Sequence, residues 1–303
     1  MLPVSYIKRA AIDPAKWNAC IDSAPNGNIY AYTDYLDCMA ARWDALVAGD
    51  YQFIMPLTWN RKYGFDYLYQ PPFTASLGIF GQGIDEETVK AFLDAIPSTF
   101  RLVEISLNAG NPLKEQITGV RYRDNYLLEL SPSYEILSKQ FRQNVIRNSQ
   151  KAERSGCTYE KGVPLESVIT LSKELIKTLD PLPGDAFQRF EKLYDILHRQ
   201  NKAITRGVFT ANRQLVASAV FFFSNARVYY ILVGNHPNGK TIGASHFLLD
   251  RFIHEFSGRQ LTFDFEGSDI QGLAFFYSSF GARLERYPAI KWNRLPWWIR
   301  WMK

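Results

Sequence analysis

The chain has 303 residues, a formal net charge of +5, 47% hydrophobic and 15% aromatic residues. That length suits two domains that each bury a core, the composition excludes a disordered chain, and the mild charge permits an anionic ligand without requiring nucleic acid. Cys20, Cys38 and Cys157 stand apart with no CxxC pair, so neither a metal site nor a disulfide framework is indicated and a reduced, cytoplasmic setting is expected.

The opening segment Met1-Leu2-Pro3-Val4-Ser5-Tyr6 lacks the charged start and apolar run of a signal peptide. A strand is expected at Val4 to Lys8, then helices around Trp17 to Ile21 and Thr33 to Ala41. Residues 46–56 read as a hairpin turning at Gly49-Asp50. Tyr67 to Phe80 is strand-like but interrupted by Pro71-Pro72; helix 85–96 and strands 101–107 and 122–130 follow. The polar, pattern-breaking Ser131-Pro132-Ser133 sets the expected boundary, giving domains 1–131 and 132–303. In the second half, helices are expected from Tyr134 to Ser155, near Ser167 to Leu179 and over 185–200. Strands follow at Ile204 to Phe209, Leu215 to Phe223 and Arg227 to Val233. Val216 to Phe223 is the longest apolar run and is far too short to span a bilayer. A loop over 234–242, helix 243–256, strand 260–266 and helix 271–280 complete the pattern. Strands and helices in this order predict an α/β fold with a mixed sheet and helices on its faces.

Two stretches repeat 160 residues apart. Val89, Phe92, Leu93 and Ile96 form a helical i, i+3, i+4, i+7 stripe, followed by Leu102-Val103-Glu104-Ile105. Leu249, Phe252, Ile253 and Phe256 restate it before Thr262-Phe263-Asp264-Phe265, and Gly83 maps onto Gly243. Such self-similarity is expected of two copies of one fold. The copies differ at the helix entrance. Asp85-Glu86-Glu87 opens the first, and Lys240-Thr241-Ile242-Gly243-Ala244-Ser245 opens the second. A helix start carries unsatisfied N–H groups and partial positive charge, so acids there repel an anion, whereas glycines, a lysine and hydroxyls admit one. The plain alternative is a Gly-rich turn with a Ser or Thr cap. Val233, Gly239, Lys240, Thr241, Gly243, Ala244 and Ser245 are therefore the candidate donor-binding set, and Gly243→Asp is expected to abolish donor binding without harming the fold.

Asp264 and Glu266 alternate onto one face of the predicted strand, where a carboxylate can take a proton from a nucleophile; ion pairing is the structural alternative. Tyr277 lies beside the Phe276/Phe280 face of the last helix and, protonated at neutral pH, can serve as a general acid. His236 and His246 flank the anion loop. The 139–154 segment carries five basic residues and one acid. Arg147, Lys151 and Arg154 fall near one face, which is either solvated or a wall for phosphates. The tail from Lys291 concentrates Trp292, Trp297, Trp298 and Trp301 among basic residues, a mixture suited to packing or to peripheral contact with a membrane interface.

The order strand, strand, glycine loop, helix, strand and Tyr277-x-x-x-Gly281 helix resembles the GNAT acyltransferase core, with Lys240-x-x-Gly243-x-Ser245 in place of its pyrophosphate loop. The doubled pattern resembles the FemAB-like proteins, which are tandem GNAT domains. Phe263-Asp264-Phe265-Glu266-Gly267 is similar to their Tyr-Asp-Phe-x-Gly motif, Phe276-Tyr277-Ser278-Ser279-Phe280-Gly281 to Phe-Lys-x-x-Phe-Gly with tyrosine for lysine, and Arg142 to Gly156 to their basic helix. The resemblance implies N-acyl or aminoacyl transfer from a thioester or ester donor to a small-molecule or peptide amine. Acyl-CoA is the expected co-substrate, with no tightly bound cofactor. Tyr277, Glu266 and Asp264 would be catalytic, and Arg142, Arg147 and Lys151 would bind substrate. The second domain would hold the donor and the first would be structural or acceptor-binding. The alternatives are a tRNA-dependent aminoacyltransferase of the peptidoglycan-bridge type and a binding protein with a decayed site.

Overall fold

A computed structural model describes residues 2–114, 118–176, 182–267 and 269–295. The chain folds into two compact units, 1–123 with 286–303, and 124–285. The elements run β1 Val4–Lys8, α1 Pro14–Ser23, α2 Thr33–Met39, β2 Arg42–Ala48, β3 Phe53–Lys62, β4 Phe65–Leu68, β5 Phe80–Gly81, α3 Glu86–Asp94, β6 Phe100–Ser106 and β7 Val120–Glu129. They continue with α4 Tyr134–Ser138, α5 Gln143–Arg154, β8 Thr158–Lys161, α6 Leu165–Ile176, α7 Ala186–Arg199, β9 Ala203–Phe209, β10 Leu215–Ser224, β11 Arg227–Asn235, α8 Pro237–Ile242, α9 Ala244–Phe256, β12 Thr262–Asp264, α10 Gln271–Ser278 and β13 Arg283–Asn293. The mixed α/β class expected from the sequence is what the chain adopts.

In the first unit β1, β2, β3 and β4 pair antiparallel in turn, β4 pairs parallel with β6, and β6 pairs antiparallel with the end of β13, Ala289↔Ser106 through Asn293↔Leu102. In the second unit β8, β9, β10 and β11 pair antiparallel in turn, β11 pairs parallel with β12, and β12 pairs antiparallel with the end of β7. The succession of pairing types is the same in both. Each core follows from its stripe. Val89, Phe92, Leu93 and Ile96 are buried against the first sheet. Phe252 stacks on Phe221 at 3.8 Å and on Phe256 at 4.6 Å in the second. Burying such rings contributes roughly 1.5–3 kcal/mol each.

The structure departs from the predicted elements at several points. The expected helix from Tyr134 to Ser155 breaks between α4 and α5. Phe141 turns inward to lie 5.4 Å from Phe280, and the Arg142 N–H donates to Ser279 O at 2.8 Å, which fixes Arg142 in extended conformation. Strand 260–266 shortens to β12 because Asp264 Oδ1 accepts the Glu266 N–H at 2.9 Å and Glu266 adopts φ +68°. The expected loop 234–242 contains the short helix α8, and Tyr67 to Phe80 keeps strand only at β4 and β5. β13 was not anticipated. The last turn predicted near Leu179 lies outside the described residues.

A part-buried ion-pair network holds α9 to β8 and β9. Glu255 accepts from Arg206 Nε at 2.9 Å and Nη2 at 2.7 Å, from Tyr159 OH at 2.7 Å, and lies 2.8 Å from Lys161 Nζ. Burial opposes its charge, but those donors outweigh it and hold the carboxyl at about 2 instead of 4.5. A carboxylate depressed in the folded state contributes its stability above the unfolded value and loses it as pH falls. On the order of 3 kcal/mol is therefore expected to disappear between about pH 4.5 and 2. Urea unfolding measured at steps through that window should show a shallower acid loss in Glu255→Gln; an identical slope would mean the network does not carry it.

Candidate donor site at the start of α9

β11 and β12 pair over only three residues, Arg227↔Thr262 to Tyr229↔Asp264. Beyond them β11 continues to Asn235 paired with β10 but no longer with β12, and Ile231 is bulged out of register against β10, where Val220 faces Leu232 and Phe221 faces Tyr230. The bulge and the early stop of β12 open the sheet where the chain enters α8. His236 caps α8, its Nδ1 accepting the Asn238 N–H at 3.1 Å, and Pro237 occupies the first turn, where its missing N–H costs nothing. α8 then lies so close to β10 that a Cβ on Gly239 would stand 2.2 Å from Val216 O. Gly243 closes α8 and opens α9 with φ +81°, the left-handed region that glycine enters without strain.

α9 has no side-chain cap. α3, its counterpart in the first unit, is capped by Asp85, which accepts the Thr88 N–H at 2.8 Å, and Glu86 lies 2.7 Å from Lys90 and 3.5 Å from Lys114. One helix start is thus filled by acids and the other is left to whatever occupies the space before it. That space is a cavity of about 570 Å³ beside Asn235, His236, Lys240, Ser245, His246 and Phe276, with Glu174 and Leu273 at its margin. Ser245 Oγ donates to Asn235 Oδ1 at 2.7 Å. His246 is edge-on to Phe276 at 4.7 Å, and burial pushes its imidazolium down to about 4 from 6.5. The ring is neutral at physiological pH and supplies hydrogen bonds, not charge, leaving Lys240 as the cation of the wall.

Of the donor set, Gly239, Lys240, Gly243 and Ser245 line the cavity. Val233 pairs with Ala219 in the sheet, Ala244 is buried, and Thr241 turns its carbonyl to Lys151 Nζ at 2.9 Å; none of the three lines it. That contact places Lys151 on the C-terminal end of α8, where a cation is favoured. Arg142, just before α5, and Arg147 on it are exposed, with the Arg142 guanidinium 5.0 Å over the Phe275 ring. Gly243→Asp is corrected as a clean probe. A Cβ at 243 would meet Asn148 O at 2.5 Å, so any side chain disturbs the α5–α9 packing as well as the cavity.

The three acid–base candidates gather at the end of β12, outside the lining of that cavity. Asp264 is 4% exposed; Oδ2 is 2.9 Å from Arg227 Nη1, Oδ1 accepts the Glu266 N–H, and Arg227 also lies 3.8 Å from Glu285. Tyr277 is buried 5.0 Å from Phe265, 6.4 Å from Tyr126 and 6.5 Å from Tyr230. Burial, and secondarily the Glu266 charge, raise its pKa well above the ordinary tyrosine value, so its proton stays on at neutral pH. Sequence reasoning missed Asn235, Glu174, Leu273 and Phe276. Asn235 fell in the expected loop 234–242, because the strand was expected to end at Val233 and β11 runs two residues further, and nothing in the α6 sequence marks Glu174.

Among the described residues no helix is long and apolar enough to cross a membrane. Trp292 belongs to β13, its Nε1 3.3 Å from Thr118 O and its ring under Arg294; Trp297, Trp298 and Trp301 lie outside the described residues.

No family model matches the chain, and no curated protein does. Solved structures do. FemX superposes with TM-score 0.64 at 14% identity, over 94% of this chain and 97% of its own. L-PGS from Bacillus licheniformis gives 0.53 at 12% over 93% and 91%. The C-terminal domain of a putative lysylphosphatidylglycerol synthetase from Agrobacterium fabrum gives 0.51 at 11% over 91% and 90%. The likeness runs almost end to end in each, and at these identities it is a likeness of fold: the chain shares its fold with these structures.

Proposed function

We propose that this protein is an acyltransferase of the FemAB-like GNAT kind, two GNAT-like domains in tandem, moving an acyl or aminoacyl group from a thioester or ester donor to an amine. The observation that carries the proposal is the contrast between the acid-capped α3 and the uncapped α9 facing a cavity with Lys240. Backbone N–H groups at a helix start and one ammonium suit the phosphates of coenzyme A, and the cavity has the size of an ordinary small-molecule site. In the transfer the amine nitrogen attacks the carbonyl carbon. The carbon–sulfur or carbon–oxygen bond breaks, Glu266 takes the amine proton directly or through water, and Tyr277 protonates the leaving group. Asp264, held by Arg227, acts as a positioning residue that fixes the turn carrying Glu266. The second unit holds the donor and the first is structural or acceptor-binding.

A second donor, aminoacyl-tRNA, is favoured by the fold shared with FemX and with the C-terminal domain of the putative lysylphosphatidylglycerol synthetase, and by the exposed cations Arg142, Arg147 and Arg154 at the start of α5 and along it. Thermal shift with coenzyme A, acyl-CoA and charged tRNA separates the two, since a ligand at 100 times its Kd stabilises by about 2.7 kcal/mol. Lys240→Glu is expected to weaken coenzyme A binding by roughly tenfold, the effect of one lost charge-assisted contact. Stabilisation by none of the three would leave a non-catalytic binding protein.

A further inference from the structure

The cavity before α9 has one lining residue of the wrong sign for a phosphate. Glu174, exposed in the last turn of α6, stands at the margin of the same space as Lys240. Among the described residues neither the Glu174 carboxylate nor the Lys240 ammonium has an ion-pair or hydrogen-bond partner, so the two do not meet each other. His246 carries no charge at physiological pH, and Lys173, next to Glu174 in the chain, lies 5.1 Å over the Phe187 ring; neither neutralises the acid.

The place of Glu174 is built into the sheet. Gly234 on β11 pairs with Ser218 on β10, and a Cβ at 234 would stand 2.9 Å from Leu171 Cβ and from Ser218 Oγ. The missing side chain lets α6 approach β11 that closely, as strand glycines do where another element packs tightly. Glu174 lies one turn beyond Leu171 on the same helical face, and Asn235 of the cavity directly follows Gly234. The contact that seats α6 therefore carries the carboxylate to the cavity. An anion alone would meet Lys240 and the open start of α9, but also the repulsion of Glu174. Opposite charges held apart in one site favour a ligand that carries both signs, and the apolar neighbours Leu273 and Phe276 strengthen both attractions by excluding water.

We propose that Glu174 is a specificity-determining residue of this cavity, holding an ammonium beside the phosphate that Lys240 and the start of α9 hold. The chemistry selected is a phosphate and an amine bound together, and the same occupant without its amine is the one discriminated against. The assignment rests on the donor site proposed above. Two sources supply the ammonium: the amino group of an aminoacyl donor, or the amine acceptor lying next to the donor.

The test needs no turnover. Calorimetry on the whole protein compares two stable thioethers of coenzyme A, S-(2-aminoethyl) and S-ethyl, which differ in one ammonium. The aminoethyl ether is expected to bind about fivefold tighter, the upper effect of an exposed ion pair. Glu174→Gln should abolish that preference, and Glu166→Gln, an acid on the same helix outside the cavity lining, should keep it. This result assigns the ammonium to the donor. If the two ethers bind alike, ethylamine is titrated into the coenzyme A-loaded protein; binding that Glu174→Gln removes and Glu166→Gln retains assigns the ammonium to the acceptor. Ethers that bind alike with no such ethylamine binding, or a preference that survives Glu174→Gln, overturn the proposal and leave the donor site standing. Failure of both ethers to bind is a different result: it removes the coenzyme A site itself, and the proposal with it.

Discussion

Asp264→Asn is expected to cost roughly 3 kcal/mol of stability, whereas Glu266→Gln is expected to leave stability within about 1 kcal/mol and lower kcat by about 100-fold. Both residues are acids at the end of the same short strand, and the structure separates them. Asp264 is buried, with one oxygen on Arg227 and the other on the Glu266 N–H. Neutralising it leaves a half-buried guanidinium with the more distant Glu285, 3.8 Å away, and removing one partner of a buried pair typically costs 3–5 kcal/mol. That remaining carboxylate and the partial exposure of Arg227 place the expected loss at the low end. Glu266 has half-buried, left-handed geometry, and glutamine keeps its shape. General-base loss without unfolding should then appear as lower kcat with little change in KM, and Tyr277→Phe should do the same for the general acid. Urea midpoints and steady-state kinetics on the three variants check this. Full activity in Glu266→Gln, or an unstable Glu266→Gln beside a stable Asp264→Asn, would reverse the two roles.

The apolar stripes made the scaffold legible. Val89 to Ile96 and Leu249 to Phe256 had to bury one helical face, and they do so against sheets with the same succession of pairings. The contrast between their entrances was legible for the same reason, since Asp85 and Gly243 differ in whether a side chain can fill the cap. What the sequence concealed came from contacts between distant residues. Period-two alternation put Asp264 and Glu266 on one face, but a hydrogen bond from the next turn ended the strand at Asp264. Continuous helical pattern ran from Tyr134 to Ser155, but burial of Phe141 against Phe280 and the Arg142–Ser279 hydrogen bond broke it. The pairing of Lys291 with Glu104 was hidden too, because it exists only through the place of β13 in the first sheet.

Gly243→Ala is expected to destabilise the protein by about 3 kcal/mol and to weaken donor binding by tenfold or more. Two separate penalties meet at this residue. A left-handed conformation costs a residue with Cβ roughly 1–2 kcal/mol, and Gly243 has φ +81°. The new Cβ would also stand 2.5 Å from Asn148 O and 2.9 Å from its carbonyl carbon; backbone cannot step aside as a flexible side chain can, and overpacking of this kind adds roughly 1–3 kcal/mol. Relief requires α5 to move from α9, which shifts the first turn of α9 and with it Ser245 and His246 on the cavity wall. Gly83→Ala provides the control: it stands at φ +68° with nothing within 4 Å of the added carbon, so about 1 kcal/mol is expected and donor affinity should not change. Gly239→Ala isolates the steric part, since that glycine sits within α8 with its Cβ position 2.2 Å from Val216 O. Chemical unfolding and coenzyme A titration on the three variants order them as Gly83→Ala mildest in both respects. If Gly243→Ala bound donor as well as the unsubstituted protein does, the uncapped start of α9 would have no part in holding it.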